Sequence, residues 1–188
     1  MFREKVLHLL FCFNFIFSCA DHNAFSQIPW SRTYGGNDID DAKSVQQTPD
    51  SCFVLAGRTS SFGAGGEDFL VVKTNLSGDV IWSKTYGGSE DDWGRSIEQT
   101  IDGGFIIAGG TNSYGAGGSD LWLLKTNNFG DSLWARSYGG SEDDWAYSSI
   151  HQTPDNGYII TGSILYLTGP VPGMYILLKR IQLATLLQ

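Results

Sequence analysis

Three acidic stretches recur along the chain: Asn37-Asp38-Ile39-Asp40-Asp41, Ser89-Glu90-Asp91-Asp92 and Ser141-Glu142-Asp143-Asp144. Carboxylate oxygens clustered on a loop are the donors that Ca²⁺ takes, roughly six to eight about the ion. Glu90, Asp91, Asp92, Glu142, Asp143 and Asp144 are therefore candidate calcium ligands, although their spacing matches no dedicated loop such as the EF-hand. The competing reading is structural: Asp40, Asp92 and Asp144 bond turn amides, as short acidic side chains do, while the rest face water. No cofactor other than calcium is expected.

Catalytic constellations are harder to assemble. His8 and His22 fall in an N-terminal stretch that reads as a leader, which leaves His151 alone. No Ser-His-Asp set, Cys-His pair or zinc spacing results, so no catalytic residue is assigned. Carboxylates are numerous enough for acid-base work, but they come in repeated copies, whereas a catalytic pair is asymmetric. The glycine-rich phrases Ser61 to Gly66 and Ser113 to Gly118 are followed by no Gly-Lys-Ser or Gly-Lys-Thr, which argues for turns between strands and against a phosphate cradle. Trp93 and Trp145, beside two of the acidic loops, carry rings that could stack on a sugar or pack between neighbouring units.

The elements that position these groups are repeats. Trp30, Trp82 and Trp134 stand 52 residues apart and open Trp-Ser-Arg-Thr-Tyr-Gly-Gly, Trp-Ser-Lys-Thr-Tyr-Gly-Gly and Trp-Ala-Arg-Ser-Tyr-Gly-Gly. Units 30–81 and 82–133 agree, without a gap, at 26 of 52 positions. A third unit begins at Trp134 and gains one residue near Ser148 and Ser149, read as a loop insertion. Within unit two, Ser96 to Thr100, Phe105 to Gly109, Leu121 to Leu124 and Leu133 to Tyr138 read as four strands. Asp102-Gly103-Gly104 forms the first hairpin turn, with glycine supplying the positive φ. Phe69-Leu70-Val71-Val72 and Leu121-Trp122-Leu123-Leu124 are unbroken apolar runs of the kind that strands buried on both faces show.

Four antiparallel strands in about 50 residues is the size of one propeller blade. The sequence thus predicts an all-β chain, an incomplete β-propeller of four-stranded antiparallel blades of 52 residues. The alternatives are an open β-repeat array and a solenoid. The complete blades fall at about 43–86 and 95–138. Trp30 to Tyr34 is an orphan strand of the fourth type, and residues 27–163 hold two full units and a partial third. That is too few to close a ring of about four to eight blades, so the chain is expected to be a truncated piece that folds poorly. A lone Cys52 beside Phe53 is read as a small core residue.

Thr100-x-Asp102-x-Gly104 and Thr153-x-Asp155-x-Gly157 resemble the start of the Asp-box turn of sialidase-type propellers. Unit one keeps Thr48 and Asp50 but has Cys52 in place of the glycine. Such a turn braces a hairpin and performs no chemistry, so Asp50, Asp102, Gly104, Asp155 and Gly157 are structural candidates.

The stretch to Gly162 also resembles, in four phrases, the roughly 50-residue β-propeller-type repeats of large secreted or cell-surface bacterial and archaeal proteins. Those phrases are Trp82 to Gly88, Gln99 to Phe105, Ser113 to Gly118 and Leu124-Lys125-Thr126. The resemblance implies a repeat scaffold and is silent on ligand.

Both ends of the chain differ from the repeats. Residues 1–26 read as an export signal: Arg3 and Lys5 precede a largely apolar stretch, and Ala24-Phe25-Ser26 offers a cleavage site near Ser26. Ile16-Phe17-Ser18-Cys19 loosely resembles a lipoprotein box, which makes Cys19 an alternative site of acylation. After Ser163 the repeat collapses, and residues 164–188 contain no Asp and no Trp. With synonymous codons, a shifted frame from Tyr166 can encode a string that agrees with Ser113 to Asp131 at 11 of 19 positions. The tail is accordingly read as a frameshifted third repeat, which the nucleotide sequence tests.

A net charge of −8 makes nucleic acid an unlikely partner. The expectation is an exported, non-catalytic repeat scaffold, secreted or on the cell surface, that binds an extracellular glycan or protein and has no transmembrane helix after signal cleavage. The alternative is a fragment of a secreted propeller enzyme acting on glycans or peptides.

Overall fold

Short strands with tight polar turns account for the whole of the computed structural model, which describes residues 30–163 and 174–178. The order of the first sheet is β1 (Asp40–Gln47), β2 (Phe53–Thr59), β3 (Asp68–Thr74) and β4 (Val80–Tyr86), a meander with every pairing antiparallel. The second sheet repeats it with β5 (Asp92–Gln99), β6 (Phe105–Thr111), β7 (Asp120–Thr126) and β8 (Ser132–Tyr138). No helix occurs among the described residues. The architecture is all-β, built of four-stranded antiparallel blades in an incomplete propeller-like or open array. Both predicted blades begin three residues earlier than the sequence suggested, because the aspartate that opens β1 and β5 also pairs with a threonine of the next strand.

The unbroken apolar runs are explained by burial on two faces. Val54, Ala56, Phe69 and Val71 of the first sheet meet Ile97, Phe105, Ile107, Trp122 and Leu124 of the second. Ile106, Ala108, Leu121 and Leu123 point the other way, onto Ile150 and Ile160 of a third sheet. Strands β6 and β7 therefore have no polar face, as expected of a blade held between two others. The inner strands lie side by side: Ile97 N donates to Ser44 Oγ at 3.3 Å, and Ile150 N donates to Ser96 Oγ at 3.3 Å.

The third sheet contains β9 (Trp145–Gln152), β10 (Tyr158–Ser163) and β11 (Met174–Leu178). Strand β10 pairs antiparallel with β9 but parallel with β11, unlike the antiparallel third strands of the first two blades. The extra residue of the third unit lies inside β9, not in a loop. Blades one and two each carry a bulge at a single residue, Lys43 between Ala42 and Ser44, and Arg95 between Gly94 and Ser96. In β9 the register passes from Ala146 to Ser149, so two residues occupy the bulge. A bulge absorbs the insertion because its residues are already outside the ladder.

Trp30 to Tyr34 forms no ladder, contrary to the strand expected there. Its side chains nonetheless take the places of a fourth strand. The Trp30 and Phe53 rings lie 6.1 Å apart at 62°, Trp82 and Phe105 5.9 Å at 62°, Trp134 and Tyr158 6.0 Å at 62°. Tyr34 Oη donates to Gly78 O at 2.9 Å, as Tyr86 Oη does to Gly130 O at 2.5 Å. The recurring Trp and Tyr of the opening phrase thus fasten the last strand of one blade to the next blade. The leader, Cys19 and all of the tail except β11 lie outside the described residues.

Candidate functional site

The acidic loops are the obvious place to look for chemistry, and their carboxylates are engaged by backbone. Asp92 Oδ2 accepts Gly88 N at 2.8 Å and Ser113 Oγ at 2.7 Å. Asp40 Oδ2 likewise accepts Gly36 N at 2.7 Å and Ser61 Oγ at 2.8 Å, and Asp144 Oδ2 accepts Gly140 N at 2.8 Å. Each of these aspartates ties the Tyr-Gly-Gly turn to the start of an inner strand. Asp91 and Asp143 do not merely face water: Asp91 Oδ1 accepts Glu67 N at 2.9 Å and Asp143 Oδ1 accepts Ser119 N at 2.8 Å, each across a seam between blades. Glu90 and Glu142 are exposed. Among the described residues no group of three or more His, Cys, Asp or Glu side chains is placed to hold a metal ion.

A second set of carboxylates, Asp68 and Asp120, opens the third strands. Asp120 is buried, its Oδ2 accepts Ala116 N at 2.8 Å, and its Oδ1 has no hydrogen-bond partner among the described residues. Burial raises its carboxyl above the ordinary range, and the charge of Asp144 adds to the effect. A Cβ on Gly139 would lie 1.7 Å from Asp120 Oδ1 and 2.5 Å from Asp144 Oδ2. The glycine following the tyrosine is therefore required by two converging carboxylates.

The hairpin turns form a third recurring unit. Asp102 Oδ1 accepts Thr100 Oγ1 at 2.5 Å and Gly104 N at 3.0 Å, and its Oδ2 lies 2.9 Å from the buried Lys125 Nζ. Asp50 accepts the Thr48 hydroxyl and pairs with the buried Lys73 at 3.0 Å. Asp155 accepts Thr153 Oγ1 and, at 3.2 Å, Gly157 N. The Thr48 hydroxyl and Lys73 hold the Asp50 carboxyl down at about 2. Burial pushes Asp102 upward, but the Thr100 hydroxyl, Lys125 and the Gly104 amide outweigh it and bring it to about 2. The positive φ falls on Ser51, Gly103 and Asn156. Gly104 is needed instead for close approach, since a Cβ there would meet Thr126 O at 2.1 Å. Cys52 is half-buried in this turn and not in the core, its thiol pointing at Asp50 O from 3.8 Å.

The repeat symmetry also breaks at a concave surface between blades. A cleft of about 360 Å³ opens between the first two sheets, lined by Lys43, Arg58, Glu67, Asp91, Trp93, Arg95, Asn112 and Ser119. The two bulges place Lys43 and Arg95 on its wall. Arg58 Nη1 donates to both Glu67 oxygens, at 2.8 and 2.7 Å, and Lys43 pairs with Asp41. Of the residues singled out from sequence, Asp91 and Trp93 reach this cleft. Lys43, Arg58 and Arg95 carried no motif; the only signal available was that they differ between units otherwise half identical. The side chain of Trp145 lies outside those described.

No family model matches the chain, and no curated protein matches it. No helix among the described residues is long and apolar enough to cross a membrane. His151 is exposed and its Nδ1 lies 2.6 Å from Glu98 Oε2, a pair without counterpart in the other units.

Proposed function

We propose that the chain is an exported, non-catalytic scaffold of propeller-type repeats that binds a glycan or protein outside the cell. One observation carries this reading. The carboxylates that could do acid-base work are engaged in the same bonds unit after unit, while the polar lining that differs between units gathers in one inter-blade cleft. Repetition marks bracing, and its breakdown at a concave surface marks recognition. Export rests on the leader-like residues 1–26, with cleavage near Ser26 or acylation at Cys19, and the mass of the mature N-terminus distinguishes the two. The kinship with repeats of secreted and surface proteins rests on the shared phrases.

Panels of extracellular glycans and proteins provide the test. Saturable binding with no product formed is the expected result, and turnover of any glycan or peptide would overturn it. A secreted propeller enzyme is the second reading, favoured by the unrepeated His151 and Glu98 pair. Loss of turnover in His151→Ala would then be the decisive outcome.

A further inference from the structure

Most of the inter-blade cleft's lining differs between the first two units, while Asp91 and Trp93 recur in the third as Asp143 and Trp145. Counting by 52, Lys43 corresponds to Arg95, Arg58 to Gly110, Glu67 to Ser119 and Asp41 to Trp93. The bracing residues behave differently: Asp40 and Asp92, Asp68 and Asp120, and Lys73 and Lys125 are identical. The change from Arg58 to Gly110 has a physical consequence. A Cβ on Gly110 would come within 2.4 Å of the Trp93 indole, so the glycine lets that ring lie flat against its own sheet, half-buried beside the cleft.

The cleft sets three cations, Lys43, Arg58 and Arg95, among three carboxylates, Asp41, Glu67 and Asp91, but they are not paired one to one. Arg58 is held by Glu67 and lies 3.7 Å from Asp41, which also takes Lys43. Asp91 accepts the Glu67 amide. Arg58 Nε and Arg95 Nε are both buried without an acceptor among the described residues, but Arg58 keeps Glu67 through Nη1, whereas no described carboxylate takes Arg95. A guanidinium N–H removed from water with no acceptor is unfavourable, and an arginine raised on a bulge toward a cleft is placed to receive one from outside.

From this juxtaposition we infer that the cleft binds a carboxylate-bearing sugar, a uronate unit of an acidic glycan, with Arg95 taking the carboxylate and Trp93 the C–H face of the ring. The guanidinium fork matches the two oxygens of a carboxylate. Indole offers a flat apolar surface beside a polar edge. Asn112, Ser119 and Glu67 supply amide, hydroxyl and carboxylate groups that suit sugar hydroxyls, and Lys43, paired with Asp41, also lines the cleft. A peptide side chain would require aliphatic walls, yet among the described residues Trp93 is the one large apolar residue of the lining. The volume suits one or two sugar units, near the lower end of small-molecule sites at about 300 Å³. The assignment rests on the binding reading proposed above.

Isothermal titration of the full chain with oligogalacturonate and oligoglucuronate, a neutral gluco-oligosaccharide of equal length and a short glutamate peptide tests it. An acidic glycan should bind, weaken with added salt, and exceed the neutral glycan and the peptide by about tenfold or more. Arg95→Gln should lose about tenfold with an unchanged near-ultraviolet spectrum, Arg95→Lys should lose less, and Trp93→Phe should retain binding. Equal affinity for the neutral glycan or the peptide overturns the inference, as does indifference to Arg95→Gln or failure of the folded chain to bind either uronate. A neutral glycan or a protein bound elsewhere would sink the uronate assignment and leave the surface-binding reading intact. Cleavage of the bound uronate would do the reverse.

Discussion

At the scale of single residues, two kinds of aspartate have opposite effects on stability. Asp102 closes a turn and neutralises the buried Lys125, and its carboxyl sits at about 2 in the folded chain. Asp50 does the same for Lys73. Both folded values lie below the unfolded one of about 3.9, so the unfolded chain binds more protons between them. The contribution is complete above about pH 4 and is lost as pH falls toward 2. Asp102→Ala should destabilise the fold by about 1–3 kcal/mol at pH 7, leaving Lys125 buried without its anion. Asp120 has the reverse sign, because burial and Asp144 raise its carboxyl and ionisation opposes folding at neutral pH. Asp120→Asn keeps an acceptor for Ala116 N and should leave the urea midpoint at pH 7 unchanged or higher. Equal losses in the two variants would show that the carboxylates are not distinguished in this way. The Thr-x-Asp turn was legible in sequence because its partners lie within four residues. The lysine and Asp144 were not, since each reaches its aspartate from more than twenty residues away along the chain.

At the scale of elements, glycines with different duties separate local geometry from packing. Gly103 has φ +80° with nothing within 4 Å of a built Cβ. Gly103→Ala should cost about 1 kcal/mol of backbone strain, a figure that Ser51 and Asn156 already bear at the same place in the other turns. Gly109 has no positive φ, but a Cβ there would meet Trp93 O at 2.0 Å and Phe69 Cζ at 2.6 Å. Gly109→Ala should therefore cost more, about 2 kcal/mol or above, by forcing strands β5 and β6 or the neighbouring blade apart. Denaturation midpoints of the two variants measure the difference, and the reverse order would contradict the packing. The strands themselves could be read from apolar runs and turn residues, and so could their order, since four short strands joined by tight turns meander. The bulges at Lys43 and Arg95 could not: a bulge leaves the composition of a strand unaltered and shows only in its register. For the same reason the added residue near Ser148 reads from sequence as a loop, although β9 accommodates it within the ladder.

At the scale of the whole molecule, the opening tryptophan of each unit is a fastener between blades, and the three copies are not equally supported. Trp82 rides on β4, whose backbone is laddered to β3, and it packs on the Phe105 of the following blade within the seam formed by Val54, Val71, Ile107 and Leu124. Trp30 makes the same ring contact with Phe53, and its Nε1 donates to Leu76 O at 2.9 Å, yet the segment carrying it joins no ladder. The free energy of holding an unpaired segment in place offsets part of what the ring gains on burial. Trp82→Ala should thus cost about 3 kcal/mol or more, by opening the seam between two full sheets, whereas Trp30→Ala should cost less than half of that. Guanidinium unfolding read by far-ultraviolet dichroism compares them directly. Equal losses would mean that the first segment is held as firmly as a paired strand, and the blade-to-blade contact, not the ladder, would then be what fixes a fourth strand in this array.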